Sequence, residues 1–125
     1  VEVALMSVSA AVPHIKSGKL RGMGITSAQR SALAPELPTI SEAGVAGYEV
    51  STWHGLFAPT GTPREIIARL HEESVILLKL PDVQERLRFA DCVPIGSTPG
   101  EFAAHIRREI EKWAKIVRDS GATAE

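Results

Sequence analysis

The chain has 125 residues, of which 44% are hydrophobic and 23% are charged, and its formal net charge at pH 7 is −1. This is the size and mix of one globular domain, and the even balance of 14 basic and 15 acidic residues argues against nucleic acid as a partner. No apolar run approaches the roughly 18 residues of a membrane-spanning helix. No signal peptide is predicted, because the first residues carry no basic segment.

A β-α-β unit is predicted over residues 1–26. The apolar run 1–6 is typical of a buried strand, the next apolar residues recur at helical spacing up to Gly18, and a second strand covers 20–26. Parallel neighbouring strands end at the same edge of a sheet, which is where open α/β sheets bind ligands. The polar side chains of Ser7, Thr26 and Ser27 are therefore expected to lie together at that edge.

The segment 28–47 is predicted to be a loop with one helical turn. Thr39 and Glu42 have the spacing of a capping box, in which each side chain accepts a hydrogen bond from the other residue's peptide N–H. Arg30 follows the second strand closely and has two possible roles. Its guanidinium can pair with Glu36 or Glu42, or it can grip a carboxylate ligand.

The stretch Tyr48–Pro63 is predicted to be an extended crossing between two differently built parts of the chain. β-Forming residues, among them Val50 and Trp53, are bounded here by Gly47 and Pro59. By composition alone, an ordinary buried strand with two turns accounts for the same pattern.

Three helices are predicted after the crossing. Thr62-Pro63-Arg64-Glu65 has the pattern of a capping box with proline at the first helical position, and this helix should end near Leu80. Pro81 begins a shorter helix. Thr98-Pro99-Gly100-Glu101 repeats the start signal, and Gly121 ends the long helix that it opens.

No pattern in the sequence predicts catalysis. The serines lack the context of an activated nucleophile, Gly22 and Gly24 fall inside a predicted strand without a following helix, and the histidines lack the spacing of a zinc site. We therefore predict that the chain is not an enzyme, and no cofactor or metal site is expected.

The predicted sheet is too small for the predicted helices. Two or three strands cannot cover four helices, and a two-stranded parallel sheet has two bare edges. The expectation is that the chain is part of a longer protein or forms a homo-oligomer. The long helix strengthens this expectation because its apolar face is large, comprising Phe102, Ile106, Ile110, Trp113 and Val117.

Several motifs, in this order, resemble the C-terminal portion of the solute-binding proteins of tripartite tricarboxylate transporters, the Bug-type receptors. The motifs are Pro13-His14-Ile15-Lys16-Ser17-Gly18, Thr26-Ser27 with Arg30, Leu37-Pro38-Thr39 with Glu42-Ala43-Gly44, Trp53-His54-Gly55-Leu56-Phe57-Ala58-Pro59 with Gly61-Thr62-Pro63, and Thr98-Pro99 with Glu101-Phe102.

The resemblance implies an α/β chain equivalent to the C-terminal part of a two-lobed periplasmic-binding-protein-like fold. Residues 1–47 would belong to the second lobe, 48–63 to the crossing, and 64–125 to the helices that return to the first lobe. It further implies a periplasmic receptor that captures a small organic carboxylate or acidic amino acid for the membrane subunits of a tripartite transporter. The alternative is a folded, oligomeric remnant that binds no solute.

The same resemblance implies which residues contact the solute. By family analogy the contacts come from polar groups at strand ends, together with an aromatic residue near the hinge. In this sequence the expected ligand-binding residues are Ser7, Thr26, Ser27, Arg30 and Trp53.

Overall fold

The computed structural model describes residues 2–123, so Val1, Ala124 and Glu125 lie outside the described residues. Val1 is the first residue of the predicted first strand, and the last two belong to the predicted returning segment. Within the described part the chain forms four helices, α1 Val8–Lys16, α2 Arg64–Leu77, α3 Pro81–Phe89 and α4 Pro99–Ser120. All four coincide with helices predicted from the sequence.

Backbone hydrogen bonds close helix α1 at both of its ends. The Ser7 carbonyl accepts the peptide N–H groups of Ala10 and Ala11, while the Ser7 side chain makes no capping bond. At the other end Gly18 adopts φ +72°, and the His14 carbonyl accepts the N–H groups of the next two residues. Glycine suits this position because it has no Cβ to oppose a left-handed conformation.

The two predicted capping boxes at helix starts have different outcomes. At α4 the Thr98 hydroxyl accepts the Glu101 N–H, and the Glu101 carboxylate accepts the Thr98 N–H at 2.8 Å. At α2 the prediction is wrong, because Pro63 is the N-cap and no side chain caps the helix. The Thr62 hydroxyl donates instead to the Pro59 carbonyl at 2.8 Å. The Thr62 side chain, which the spacing predicted to cap the helix, thus forms a hydrogen bond within a local turn instead.

The predicted parallel pair of strands 1–6 and 20–26 is not formed within residues 2–123. The only bridge there is an isolated parallel one between Ile25 and Thr39. The Ile25 N–H donates to the Pro38 carbonyl at 2.9 Å, and the Ile25 carbonyl accepts the Ile40 N–H at 2.8 Å. The segment that pairs with Ile25 is therefore the predicted loop around Thr39. Leu5 is 82% exposed. Apolar patterning indicates that a segment needs a sheet neighbour, but it does not say which segment supplies that neighbour.

The chain divides into two compact units, each of which is discontinuous in sequence. The first comprises Val1–Phe57 and Lys79–Pro94, and the second comprises Ala58–Leu78 and Ile95–Glu125. The predicted division at 47 and 63 stays a prediction. In the first unit a small core forms around side chains that are less than 10% exposed, namely Ile25, Ser31, Ala34 and Thr39.

The second unit contains α2 and α4. A methyl group placed at Gly96 would lie 3.5 Å from Val75 and 3.6 Å from Leu78, so the chain before α4 passes close to α2. Among the helices of residues 2–123, none has both the length and the apolarity of a membrane span.

Candidate functional site

The predicted ligand residues Thr26 and Ser27 lie at the point where the segment paired with Thr39 ends. The Thr26 carbonyl accepts the Val50 N–H at 2.8 Å, so this point is flanked by two other stretches of the first unit. Both side chains are half-buried. A polar group there is held in place and still reaches solvent.

The short loop Thr26–Gln29, called the 26–29 loop below, presents four peptide N–H groups that have no acceptor within residues 2–123. The Ser27 hydroxyl donates to the Gln29 carbonyl at 2.7 Å, so that carbonyl already has a donor within the loop. Neighbouring peptide N–H groups that remain unpaired are suited to donate hydrogen bonds to an anion.

Arg30, directly after this loop, pairs with Glu42. Its Nε donates to Glu42 Oε2 at 2.8 Å, and its Nη1 donates to the Pro35 carbonyl at 3.2 Å. The structure therefore contains the structural pairing that the sequence left open. A contact between Arg30 and a ligand stays a prediction.

Glu42 forms the predicted capping box with Thr39. Its Oε2 accepts the Thr39 N–H at 2.8 Å, and its own N–H donates to the Thr39 hydroxyl at 3.0 Å. The hydrogen bond from the Thr39 backbone, followed by the one from Arg30, holds the pKa of the Glu42 carboxyl below its ordinary value. The carboxylate form is the form that these donors stabilise.

The remaining predicted ligand residues, Ser7 and Trp53, belong to the same unit. Ser7 is exposed at the start of α1, and no hydrogen bond within residues 2–123 joins it to Thr26 or Ser27. Trp53 is 38% exposed. Their gathering with Thr26 and Ser27 around one ligand stays a prediction.

A contact that the sequence did not reveal lies next to Arg30. The Ser31 hydroxyl donates to Asp91 Oδ1 at 2.7 Å and accepts the Leu33 N–H at 3.1 Å. Asp91 has φ +57° and ends α3, where its N–H donates to Arg88 and the next N–H donates to Leu87. This is a glycine-type helix end with aspartate in the left-handed position. The carboxylate joins the two sequence segments of the first unit.

A family model described as the tripartite tricarboxylate transporter family receptor matches residues 1–122 of the chain. A protein encoded between tcbD and tcbE of Pseudomonas sp. strain P51 is 38% identical over 118 residues, which are 94% of this chain and 35% of that protein. BugT of Bordetella pertussis is 34% identical over 93% of this chain and 36% of its own length.

Two solved structures of proteins similar in sequence have a similar fold. An R. palustris protein, Rpa4515, determined with adipate, superposes with a TM-score of 0.77 at 34% identity, over 91% of this chain and 38% of that one. The periplasmic binding protein BugD superposes with a TM-score of 0.79 at 30% identity, over 92% and 39%.

These likenesses establish a periplasmic-binding-protein-like fold, and the matched family is one of receptors rather than enzymes. The chain spans somewhat more than a third of the length of these relatives. It belongs to the family of tripartite tricarboxylate transporter receptors.

Proposed function

We propose that the chain is the C-terminal part of a periplasmic solute receptor that captures a small organic carboxylate and presents it to the membrane subunits of a tripartite transporter. The observation that carries this proposal is the family match along residues 1–122. The adipate bound to the R. palustris relative supports a carboxylate as the class of solute. The receptor releases its solute chemically unchanged, so the proposal requires no catalytic group.

In this proposal the 26–29 loop forms part of one wall of the binding cleft. Its unpaired N–H groups and the Thr26 hydroxyl would donate to one carboxylate of the solute. Ser27 would contribute its peptide N–H, because its hydroxyl donates to the Gln29 carbonyl. Ser7 would add a further hydroxyl, Trp53 would cover the apolar part of the solute, and Arg30 would stay paired with Glu42 beside the site.

The proposed affinity of this chain by itself is low, because one wall replaces only part of the water stripped from the carboxylate. Two or three hydrogen bonds of roughly 1 kcal/mol each compete with an association cost of at least several kcal/mol. Dissociation constants no tighter than about 1 mM follow. Closure of a second wall over the solute would supply the remaining donors.

Calorimetric titration with adipate tests this function. The wild-type chain should bind in the millimolar range, and Thr26→Val should weaken the binding because a donor is replaced by a methyl group. Thr60→Val is the matched control, since Thr60 is an exposed turn residue of the other unit. Equal weakening by both substitutions, or the absence of any heat of binding in the wild type, would contradict the proposal.

A second candidate function is a folded homo-oligomer that binds no solute. The exposed apolar face of α4 favours it, since Ile110 is 63%, Trp113 37% and Val117 47% exposed. Soluble monomers rarely leave extended apolar patches in water. Light scattering at micromolar concentration distinguishes the two candidates when combined with the adipate titration. A 13.4 kDa monomer that binds adipate would exclude the oligomer.

A further inference from the structure

We infer that Glu42 is a positioning residue for the 26–29 loop. The inference rests on the proposed function, which assigns the solute carboxylate to that loop. Glu42 is not a ligand in this inference, and it acts through the backbone of Thr39 and the side chain of Arg30.

The geometry joins both ends of the loop to a single carboxylate oxygen. Ile25, directly before the loop, is bridged to Thr39, and the Thr39 N–H donates to Glu42 Oε2 at 2.8 Å. Arg30, directly after the loop, donates to the same oxygen at 2.8 Å. Glu42 therefore links the two ends of the loop through one oxygen atom.

The two ends differ in how strongly the rest of the unit holds them. Ile25 is 6% and Thr39 2% exposed, so the beginning of the loop is fixed by burial as well as by hydrogen bonds. The Arg30 and Glu42 side chains are 46% and 48% exposed, so the end of the loop is held by their pairing and by the hydrogen bond from Arg30 to the Pro35 carbonyl. Removal of the Glu42 charge should loosen the end near Gln29 and leave the beginning in place.

The pairing also determines which groups an anion meets. Because Glu42 pairs with Arg30, the loop offers peptide N–H groups and the Thr26 hydroxyl without an unpaired guanidinium beside them. Recognition of a carboxylate then depends on how well the N–H groups are aligned, which is what a positioning residue controls. At physiological ionic strength the attraction between an anion and an exposed guanidinium is largely screened beyond about 8 Å.

The test compares Glu42→Gln with Glu101→Gln. Glutamine at 42 keeps an oxygen for the Thr39 N–H and removes the charge that holds Arg30. Glu101 is the matched control because it forms the same kind of capping box with Thr98, in the other unit. Without ligand, Glu42→Gln should shift the amide resonances of residues 28–30 and broaden the Arg30 Nε–H signal, whereas Glu101→Gln should leave them unchanged.

An adipate titration at physiological salt provides the functional arm. Glu42→Gln should weaken the apparent affinity about two- to fivefold, the range expected for loss of an exposed ion pair. Arg30→Gln should weaken it at least as much, because it also removes the hydrogen bond to the Pro35 carbonyl, and the double variant should bind no more weakly than Arg30→Gln. Stronger binding by Glu42→Gln would show that Arg30 binds the solute once Glu42 no longer pairs with it, and it would overturn the inference.

The ligand-free arm separates the inference from the proposed function. If wild-type resonances do not respond to adipate, the proposed function fails, while the comparison of Glu42→Gln with Glu101→Gln still decides whether Glu42 positions the loop. Unchanged resonances of residues 28–30 in Glu42→Gln would overturn the positioning role, whatever the result with adipate.

Discussion

The hydrogen bond between Ser31 and Asp91 should be a main source of stability for the first unit, because it joins segments 60 residues apart in sequence. Ser31 is 6% exposed, and its partner is a carboxylate, so the bond belongs to the stronger class of about 1.5–3 kcal/mol. Ser31→Ala also leaves the Leu33 N–H without its acceptor. We expect Ser31→Ala to lower the free energy of unfolding by about 2 kcal/mol.

A double-mutant cycle isolates the contact from other effects of the substitutions. Ser31→Ala, Asp91→Ala and the double variant should show a coupling energy of about 1 kcal/mol or more. Asp91→Gly should be less damaging than Asp91→Ala by about 1 kcal/mol, because alanine at φ +57° suffers the steric cost of the left-handed conformation and glycine does not.

The assay is urea unfolding followed by tryptophan fluorescence in a Trp113→Phe background. Trp53 then reports on the first unit, because Trp113 belongs to the second. With a slope of about 1–3 kcal/mol per M, a loss of about 2 kcal/mol moves the midpoint by roughly 1 M. A coupling energy below about 0.3 kcal/mol, the scatter of independent sites, would show that the hydrogen bond between Ser31 and Asp91 does not stabilise the first unit.

Two further predictions concern the capping boxes. Hydrogen bonds from the backbones of Thr39 and Thr98 hold the pKa values of Glu42 and Glu101 below the ordinary value of 4.5. The folded chain therefore binds fewer protons than the unfolded chain, and the stabilisation is present above pH 4.5 and lost as the pH falls through the folded pKa values. Urea midpoints measured on either side of pH 4.5 should show a weaker pH dependence in Glu42→Gln and Glu101→Gln than in the wild type, and an unchanged dependence would contradict this assignment. Thr98→Ala should lower the free energy of unfolding by about 1 kcal/mol. Thr62→Ala should lower it much less, because Thr62 caps no helix. Equal losses for the two variants in urea unfolding would contradict this difference between the two helix starts.

The sequence predicted the helices because their boundaries are encoded locally. Pro81 and Pro99 lie at the first helical position, and Gly18 and Gly121 supply the left-handed conformation after a helix. Such signals act over a few residues and need no tertiary partner. The failure at Thr62 has an equally local cause, since its hydroxyl is taken by a turn that the spacing rule does not consider.

Strand pairing could not be predicted in the same way. The apolar run before Ser7 indicates a sheet position, but a strand exists only with a neighbour, and the Ile25 segment pairs with the loop around Thr39 instead. Helix patterns contain their own hydrogen-bond partners, whereas strand patterns do not.

The candidate site was predictable in part. The spacing of Thr39 and Glu42 predicted the capping box, and the position of Arg30 in the same predicted loop allowed its pairing with Glu42. No sequence pattern indicated the contact between Ser31 and Asp91. The left-handed position after α3 is usually a glycine, which would have marked the end of the helix, but here it is an aspartate. Only the tolerance of aspartate for that conformation could have suggested it.

Titration of the isotopically labelled chain with adipate, followed through its amide resonances, tests whether the 26–29 loop contacts the solute. We expect saturable shifts that are largest at Thr26 and Ser27, with a midpoint no lower than about 1 mM. Shifts that are absent, or that are largest in residues 58–78 and 95–123 of the second unit, would contradict the claim that the 26–29 loop forms a wall of the solute site.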